Sequence, residues 1–297
     1  MIKIGVVGAG SIGLLFAAYM HKLFDVTVYT RSLGQAEQIN RNGIRLVKGA
    51  GPLTAKVRAE VLGANEMDND LTIVAVKQYQ LDSVIFHLPA NGGLLFLQNG
   101  MGHLKLLDQL KADDIYVGSV EHGALKEAPD TVSHNGAGLT RVAVFRGDPW
   151  LLEKVASLLP GNFPMEIEPD YYEMLAGKLA VNAVINPLTA VLGVRNGELV
   201  DNPRYEKVLE KMFEEVARIL DFHDKQERLL KVKGICRNTS ENRSSMLKDL
   251  DAGRPTEVDA ILGYLLDKAS SKGLAAPLLG AFYEMIKGRE WTGRVNR

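Results

Sequence analysis

The sequence predicts an α/β fold: a doubly wound parallel sheet over residues 1–169, then an all-helical region over 170–297. Three observations predict it. Short, nearly all-apolar runs alternate with helical stretches through the first half, as a parallel sheet covered on both faces requires. A glycine-rich turn joins the first run to the first helical stretch. Beyond Glu168-Pro169-Asp170 nothing reads as a strand, and apolar residues recur only at helical spacing.

Residues 2–7 form a β-branched run of strand length, closed by Gly8 and Gly10. Ile12, Leu15, Phe16 and Tyr19 then recur at helical spacing. Residues 26–30, 71–76 and 94–97 are further strands, while 44–47 and 140–145 are weaker candidates for late strands of the same sheet. In the second half, Leu209, Met212, Phe213, Val216 and Leu220 make an apolar stripe, with Glu210, Lys211, Glu214 and Arg218 facing water. Asn202-Pro203 and Arg254-Pro255 punctuate this half, Pro255 being placed in a first helical turn, which tolerates it.

Composition narrows the function. The 297 residues hold 35 Lys and Arg against 36 Asp and Glu, a net charge of −1, which argues against a nucleic-acid or membrane-surface partner. A single cysteine, Cys236, excludes an internal disulfide and a cysteine-rich metal site and suits a reducing, cytoplasmic compartment. No apolar run is read as approaching the roughly 18 residues that span a bilayer, and the first residues read as a strand rather than a signal peptide.

Gly8-Ala9-Gly10-Ser11-Ile12-Gly13 matches G-x-G-x-x-G in the right context, after a strand and opening a helix. In such a Rossmann-type turn, Gly8 allows the tight bend, Gly10 admits a pyrophosphate, and Gly13 lets the helix pack on the strand. An NAD site usually carries an acid about 20 residues on, at the end of the second strand. This chain has Tyr29-Thr30-Arg31, and a guanidinium there suits the 2′-phosphate of NADP(H). Lys77 ends the strand 71–76, where ligands of open sheets bind, although it also reads as a solvated loop lysine. Asn99, in Gln98-Asn99-Gly100-Met101-Gly102, reads either as a ligand contact or as part of a simple Asn-Gly turn.

Lys178, Asn182 and Asn186 are spaced by four, so they share one stripe of an otherwise apolar helix that Gly177 and Pro187 would bound. Polar groups in such a setting are either satisfied by a ligand or face solvent, and the pattern alone leaves both open. Asn242 and Ser245 lie three apart and can share a helix face. Glu257, just past Pro255, reads in isolation as an acid at a helix N-terminus.

Together these segments resemble the ketopantoate reductase (2-dehydropantoate 2-reductase) family, in order along nearly the whole chain. The most specific is Lys178-Leu-Ala-Val-Asn182-Ala-Val-Ile-Asn186-Pro-Leu-Thr. Asn196-Gly-Glu, Asn242-Arg-Ser-Ser245-Met-Leu and Thr-Glu257-Val-Asp accompany it. The resemblance implies that Lys178 is the general acid, and that Asn182, Asn186, Asn196 and Ser245 hold the substrate. It implies further that Asn99 touches cofactor and substrate, and that Gly8, Ala9, Gly10, Ser11, Ile12, Gly13, Arg31, Lys77, Ala124 and Glu257 contact NADPH.

The chemistry agrees with the residue types. Reducing a 2-oxo acid puts negative charge on the carbonyl oxygen, which a lysine ammonium can stabilise and protonate. The leading expectation is NADPH-dependent reduction of 2-dehydropantoate to (R)-pantoate, towards pantothenate and coenzyme A, with no metal. A reductase of another branched 2-oxo acid keeps the fold and cofactor but changes the substrate. An NADP(H)-sensing module is the non-enzymatic alternative, and it leaves the Lys178 stripe without a role. The helical half offers apolar surface that a second copy could cover, so a homodimer stays open.

Overall fold

A computed structural model describes residues 1–49 and 51–295. Ala50 and the last two residues of the expected helical region, Asn296 and Arg297, lie outside the described residues. The chain divides into two compact units: residues 1–98 with 105–174, and residues 99–104 with 175–297.

Among the described residues, the first unit holds twelve strands in two sheets. In chain order they are β1 (Lys3–Val7), β2 (Asp25–Thr30), β3 (Ile44–Lys48), β4 (Gly51–Ala55), β5 (Arg58–Val61), β6 (Leu71–Val74), β7 (Gly93–Phe96), β8 (Ile115–Val120), β9 (Gly123–Ala128), β10 (Thr131–Gly136), β11 (Thr140–Arg146) and β12 (Met165–Ile167). The large sheet runs β12-β11-β8-β7-β6-β1-β2-β5. Six of its strands, β5-β2-β1-β6-β7-β8, pair in parallel in the order of a Rossmann sheet. β11 closes one side antiparallel to β8, so the sheet is mixed at that edge. Between β1 and β6 the strand order reverses, and there Val7 at the end of β1 stands beside Val74.

The strand expected over 44–47 exists as β3, but it does not join the large sheet. It sits in a second sheet, β4-β3-β10-β9. That sheet covers the outer side of α1 (Ser11–Met20), whose inner side packs on β1 and β2. Leu14, Leu15, Phe16, Ala17, Ala18 and Met20 are therefore all buried, so α1 is apolar all round rather than along one stripe. A hydrogen-bonded chain fastens the small sheet to this helix. The Gly138 amide donates to Nδ1 of His122 at 3.1 Å, so that nitrogen is an acceptor and also takes Nε2–H of His134 at 3.2 Å. Nδ1 of His134 then accepts from the Tyr19 hydroxyl at 2.7 Å. Three further helices belong wholly to this unit, α2 (Leu33–Asn42), α3 (Leu81–Val84) and α5 (Trp150–Leu158). The one-turn α4 (Leu104–Leu107) begins where the chain returns to it.

Helices alone follow residue 170 among the described residues: α6 (Tyr171–Leu192), α7 (Glu198–Asp201), α8 (Pro203–Ile219), α9 (Lys225–Asn238), α10 (Ser245–Asp251), a π-helical turn Asp259–Gly263 running into α11 (Tyr264–Ser271), and α12 (Pro277–Val295). α8 buries Leu209, Met212, Phe213 and Val216, each side chain contributing about 1.5–3 kcal/mol by leaving water. Its start is set by Pro203 and by Asn202, whose side-chain oxygen accepts from the Arg204 amide at 2.9 Å. Pro255, by contrast, lies outside any helix, because helical structure resumes only at Val258. Cys236 is buried on α9, where burial pushes its thiol up to about 11.

α6 corrects two expectations. It runs for 22 residues through both Gly177 and Pro187 instead of ending at them. A Cβ at Gly177 would touch only Arg228, 3.8 Å away, so that glycine neither starts nor stops the helix. α6 is also long and apolar enough to span a bilayer, with a mean hydropathy of 1.4, contrary to the reading that no run approaches that length. Two-thirds (67%) of that stretch is packed inside the protein, which makes it a core helix.

Candidate active site

The first unit assembles a phosphate-binding turn at the point where its strand order reverses. Gly8 bends the chain with φ +104°, and a Cβ there would meet Val76 at 2.7 Å, just past β6. A Cβ on Gly13 would stand 1.8 Å from the Gly8 carbonyl oxygen, so only glycine lets the helix approach its own turn. A Cβ on Gly10 would meet nothing within 4 Å. The demand for glycine at position 10 therefore does not come from the protein's packing, and it suits backbone approach by a ligand. The first turn of α1 carries no acid, leaving the helix N-terminus with its partial positive charge.

Arg31 follows β2 and is exposed, while Lys77 is half-buried just past β6. The Gln98 side chain donates to the carbonyls of Val74 and Val76, both at 2.9 Å, and so holds the chain that leads to Lys77. Ala124 lies on β9, opposite His134, in the sheet that covers α1. Lys126, two residues further along β9, had no place in the sequence reading. Its amide donates to Ser11 Oγ and its Nζ to the Ala9 carbonyl, both at 3.0 Å.

The second unit gathers the remaining candidates. Asn99 and Glu257, 158 residues apart in sequence, meet through a 2.9 Å hydrogen bond from Nδ2 to Oε2. Glu257 is buried and precedes the helical turn, so it serves as the acceptor for Asn99 as well as an acid at a helix start. Gly100 makes this pairing feasible. Its φ is +81°, and a Cβ would lie 2.2 Å from the Ala260 carbonyl oxygen. The segment is thus a tight packing element rather than a simple surface turn. Three residues on, His103 is buried with neither ring nitrogen hydrogen-bonded to a described residue, and burial lowers its pKa to about 4.

On α6, Lys178 and Asn182 are half-buried and Asn186 is buried. Asn196 is held by its neighbours through two donors, Nδ2 to Thr239 Oγ1 at 2.9 Å and its backbone amide to the Asn242 carbonyl at 3.0 Å, while its Oδ1 accepts from no described residue. Asn242 does not share a helix face with Ser245, because it lies in the loop before α10. Ser245 is exposed at the first position of α10. The adjacent Ser244 caps that helix through the Leu247 amide and accepts from Thr189 of α6 at 2.7 Å. Thr189 also reaches the Asn186 carbonyl, so Ser245 is held near the same part of α6 as Asn186.

Comparison with known proteins follows this layout. The family model described as ketopantoate reductase PanE/ApbA matches residues 4–147, and the corresponding C-terminal model matches 170–290. The 2-dehydropantoate 2-reductase of Bacillus subtilis is 45% identical over 293 residues, covering 97% of this chain and 98% of its own. This chain belongs to the ketopantoate reductase family. The Listeria innocua 2-dehydropantoate 2-reductase is 37% identical over 97% of each chain. A crystal structure of a probable 2-dehydropantoate 2-reductase from Bacillus subtilis superposes with a TM-score of 0.91 at 44% identity, covering 97% of this chain and 100% of that one. The fold is also found in a more distant protein. A D-mandelate dehydrogenase solved with NADH and anilino(oxo)acetate gives the same TM-score of 0.91 at 22% identity, covering 99% of this chain and 100% of that one.

Proposed function

We propose that this chain reduces 2-dehydropantoate to (R)-pantoate with NADPH, in the cytoplasm, on the route to pantothenate and coenzyme A. The single observation that carries the proposal is that Lys178, Asn182 and Asn186 lie at four-residue spacing along one core helix, bringing an ammonium and two amides, the groups that a 2-oxo acid calls for, onto one side of it. Residues 1–169 take most of the cofactor, and 170–297 supply most of the substrate groups together with the cofactor contact Glu257.

Three features of the first half support this cofactor: an acid-free helix start, a glycine turn closed by Gly13 on Gly8, and a cation after β2. Gly8–Gly13 hold the pyrophosphate, Arg31 the 2′-phosphate, and Lys77, Asn99, Ala124 and Glu257 further parts of the molecule. Bound nicotinamide supplies the hydride for the C2 carbonyl carbon. The Lys178 ammonium faces the carbonyl oxygen, offsets the negative charge that develops there, and gives it a proton to form the alcohol. Asn182, Asn186, Asn196 and Ser245 hold the substrate's carboxylate and hydroxyl without adding charge, fixing the pose from which reaction proceeds.

The decisive experiment follows NADPH absorbance with purified protein and a panel of branched 2-oxo acids. Fastest turnover of 2-dehydropantoate is expected. Faster turnover of another 2-oxo acid would change the substrate and keep the chemistry, and NADPH binding without any turnover would make the chain a sensor. A ketopantoate reductase of Staphylococcus aureus is dimeric. We propose the same state here, to be read by light scattering.

A further inference from the structure

We propose that Lys126 is a specificity-determining contact for the cofactor, its ammonium sharing with Arg31 the 2′-phosphate that separates NADP(H) from NAD(H). The inference rests on the NADPH reading above. Along β9, exposure alternates: Gly123, Leu125 and Glu127 are exposed, whereas Ala124, Lys126 and Ala128 are half-buried. Lys126 therefore shares a strand face with Ala124. Two hydrogen bonds then fix where that face points. The Lys126 amide on Ser11 Oγ holds β9 against the first turn of α1, and Nζ reaches the Ala9 carbonyl inside the glycine turn.

This ammonium is in an unusual position for a lysine. Among the described residues no carboxylate forms an ion pair with Lys126 or Arg31, and the Lys126 ammonium leans on a neutral carbonyl. The neighbouring carboxylates are engaged elsewhere: Glu127 accepts from Ser133, and Asp130 accepts from Asn42. Burial, and then the positive charge of Arg31, lower the proton affinity of Lys126. Two cations thus repel each other beside the helix N-terminus, and a dianion placed between them would relieve that repulsion.

The lysine is also free to turn. The Ala9 carbonyl accepts a second hydrogen bond from Gln35 Nε2 at 3.0 Å, so it keeps a donor when Lys126 leaves. A four-carbon stem lets the ammonium swing to a phosphate without backbone movement.

The test is equilibrium binding to the protein without substrate, read by calorimetry. The probes are adenosine 2′,5′-bisphosphate against 5′-AMP, and NADPH against NADH. Lys126→Met should weaken adenosine 2′,5′-bisphosphate and NADPH roughly tenfold while leaving 5′-AMP and NADH within about twofold, the size of one lost charged contact. Lys126→Arg should restore most of the loss, and it keeps the test valid if the methionine variant fails to fold. Equal losses for probes with and without the 2′-phosphate would overturn the proposal, as would no loss. If the unaltered protein itself fails to prefer the 2′-phosphate probes, the NADPH reading falls first. A preference that survives in Lys126→Met sinks the lysine assignment alone.

Discussion

Helices α1 and α6 are both rich in apolar residues, yet they offer opposite parts of themselves to a ligand. α1 is enclosed between two sheets and presents only its glycine-bounded end. α6 is buried along its middle turns and carries Lys178, Asn182 and Asn186 along one side, where they interrupt an apolar surface. In the function proposed above, the first would recognise its ligand with backbone N–H groups and the second with side chains. Substitutions should therefore fail by different routes. An added methyl at Gly8 or Gly13 collides with the protein itself, whereas a lost ammonium on α6 is expected to remove chemistry and leave packing alone.

The largest expected effect tests the α6 side of that contrast. Lys178→Ala should lower kcat by about a thousandfold, within the range of a lost general acid, while the Kd for NADPH moves by no more than about twofold. Steady-state rates and a direct binding titration separate the two, and equal losses would erase the distinction between the helices.

His103 gives the next effect, and it sharpens the contrast with a polar ring that is buried and accepts or donates no hydrogen bond among the described residues. Its folded pKa of about 4 lies below the unfolded value of about 6.5. The unfolded chain therefore binds more protons between those values. Stability is complete above pH 6.5 and falls as pH drops towards 4, by about 3 kcal/mol in total from this group. Urea unfolding at pH 7 and pH 4 should show His103→Leu losing that much less than the unaltered protein. An equal loss in both would mean that the imidazole is not the group responsible.

The smallest effect concerns the turn. Gly13→Ala should destabilise the fold by roughly 1–3 kcal/mol, because its methyl would have to displace the Gly8 carbonyl. Gly10→Ala, with open space at its Cβ, should leave the melting temperature nearly unchanged and weaken dinucleotide binding. Parallel melting and binding curves check both. If Gly10→Ala melts as early as Gly13→Ala, the turn is a packing device only.

Legibility in the sequence followed burial. β1, β2, β6 and β7 are rich in apolar and β-branched residues because both faces of the sheet are covered, and they stand out as such. β5 (Arg-Ala-Glu-Val) and β9 (Gly-Ala-Leu-Lys-Glu-Ala) lack that mark, and β8 is broken by Gly118-Ser119. Losing β9 hid Lys126 even though Ala124 was singled out two residues away. β3 could be read as a strand, but partner choice is non-local, and nothing in residues 44–47 says which sheet they join. The helix through Pro187 escaped because local propensity ends a helix there, while tertiary packing carries it on. The spacing of Lys178, Asn182 and Asn186 was visible because helical geometry is local. The Asn99–Glu257 hydrogen bond was not, because it joins segments far apart in the chain.

Cys236 has a practical consequence. A thiol held protonated beneath helix packing reacts slowly with peroxide or maleimide, and the sequence holds no second sulfhydryl. The native chain is thus a quiet background for site-directed dyes and spin labels. A cysteine introduced on either half should take up label selectively, with no native sulfur to be removed first.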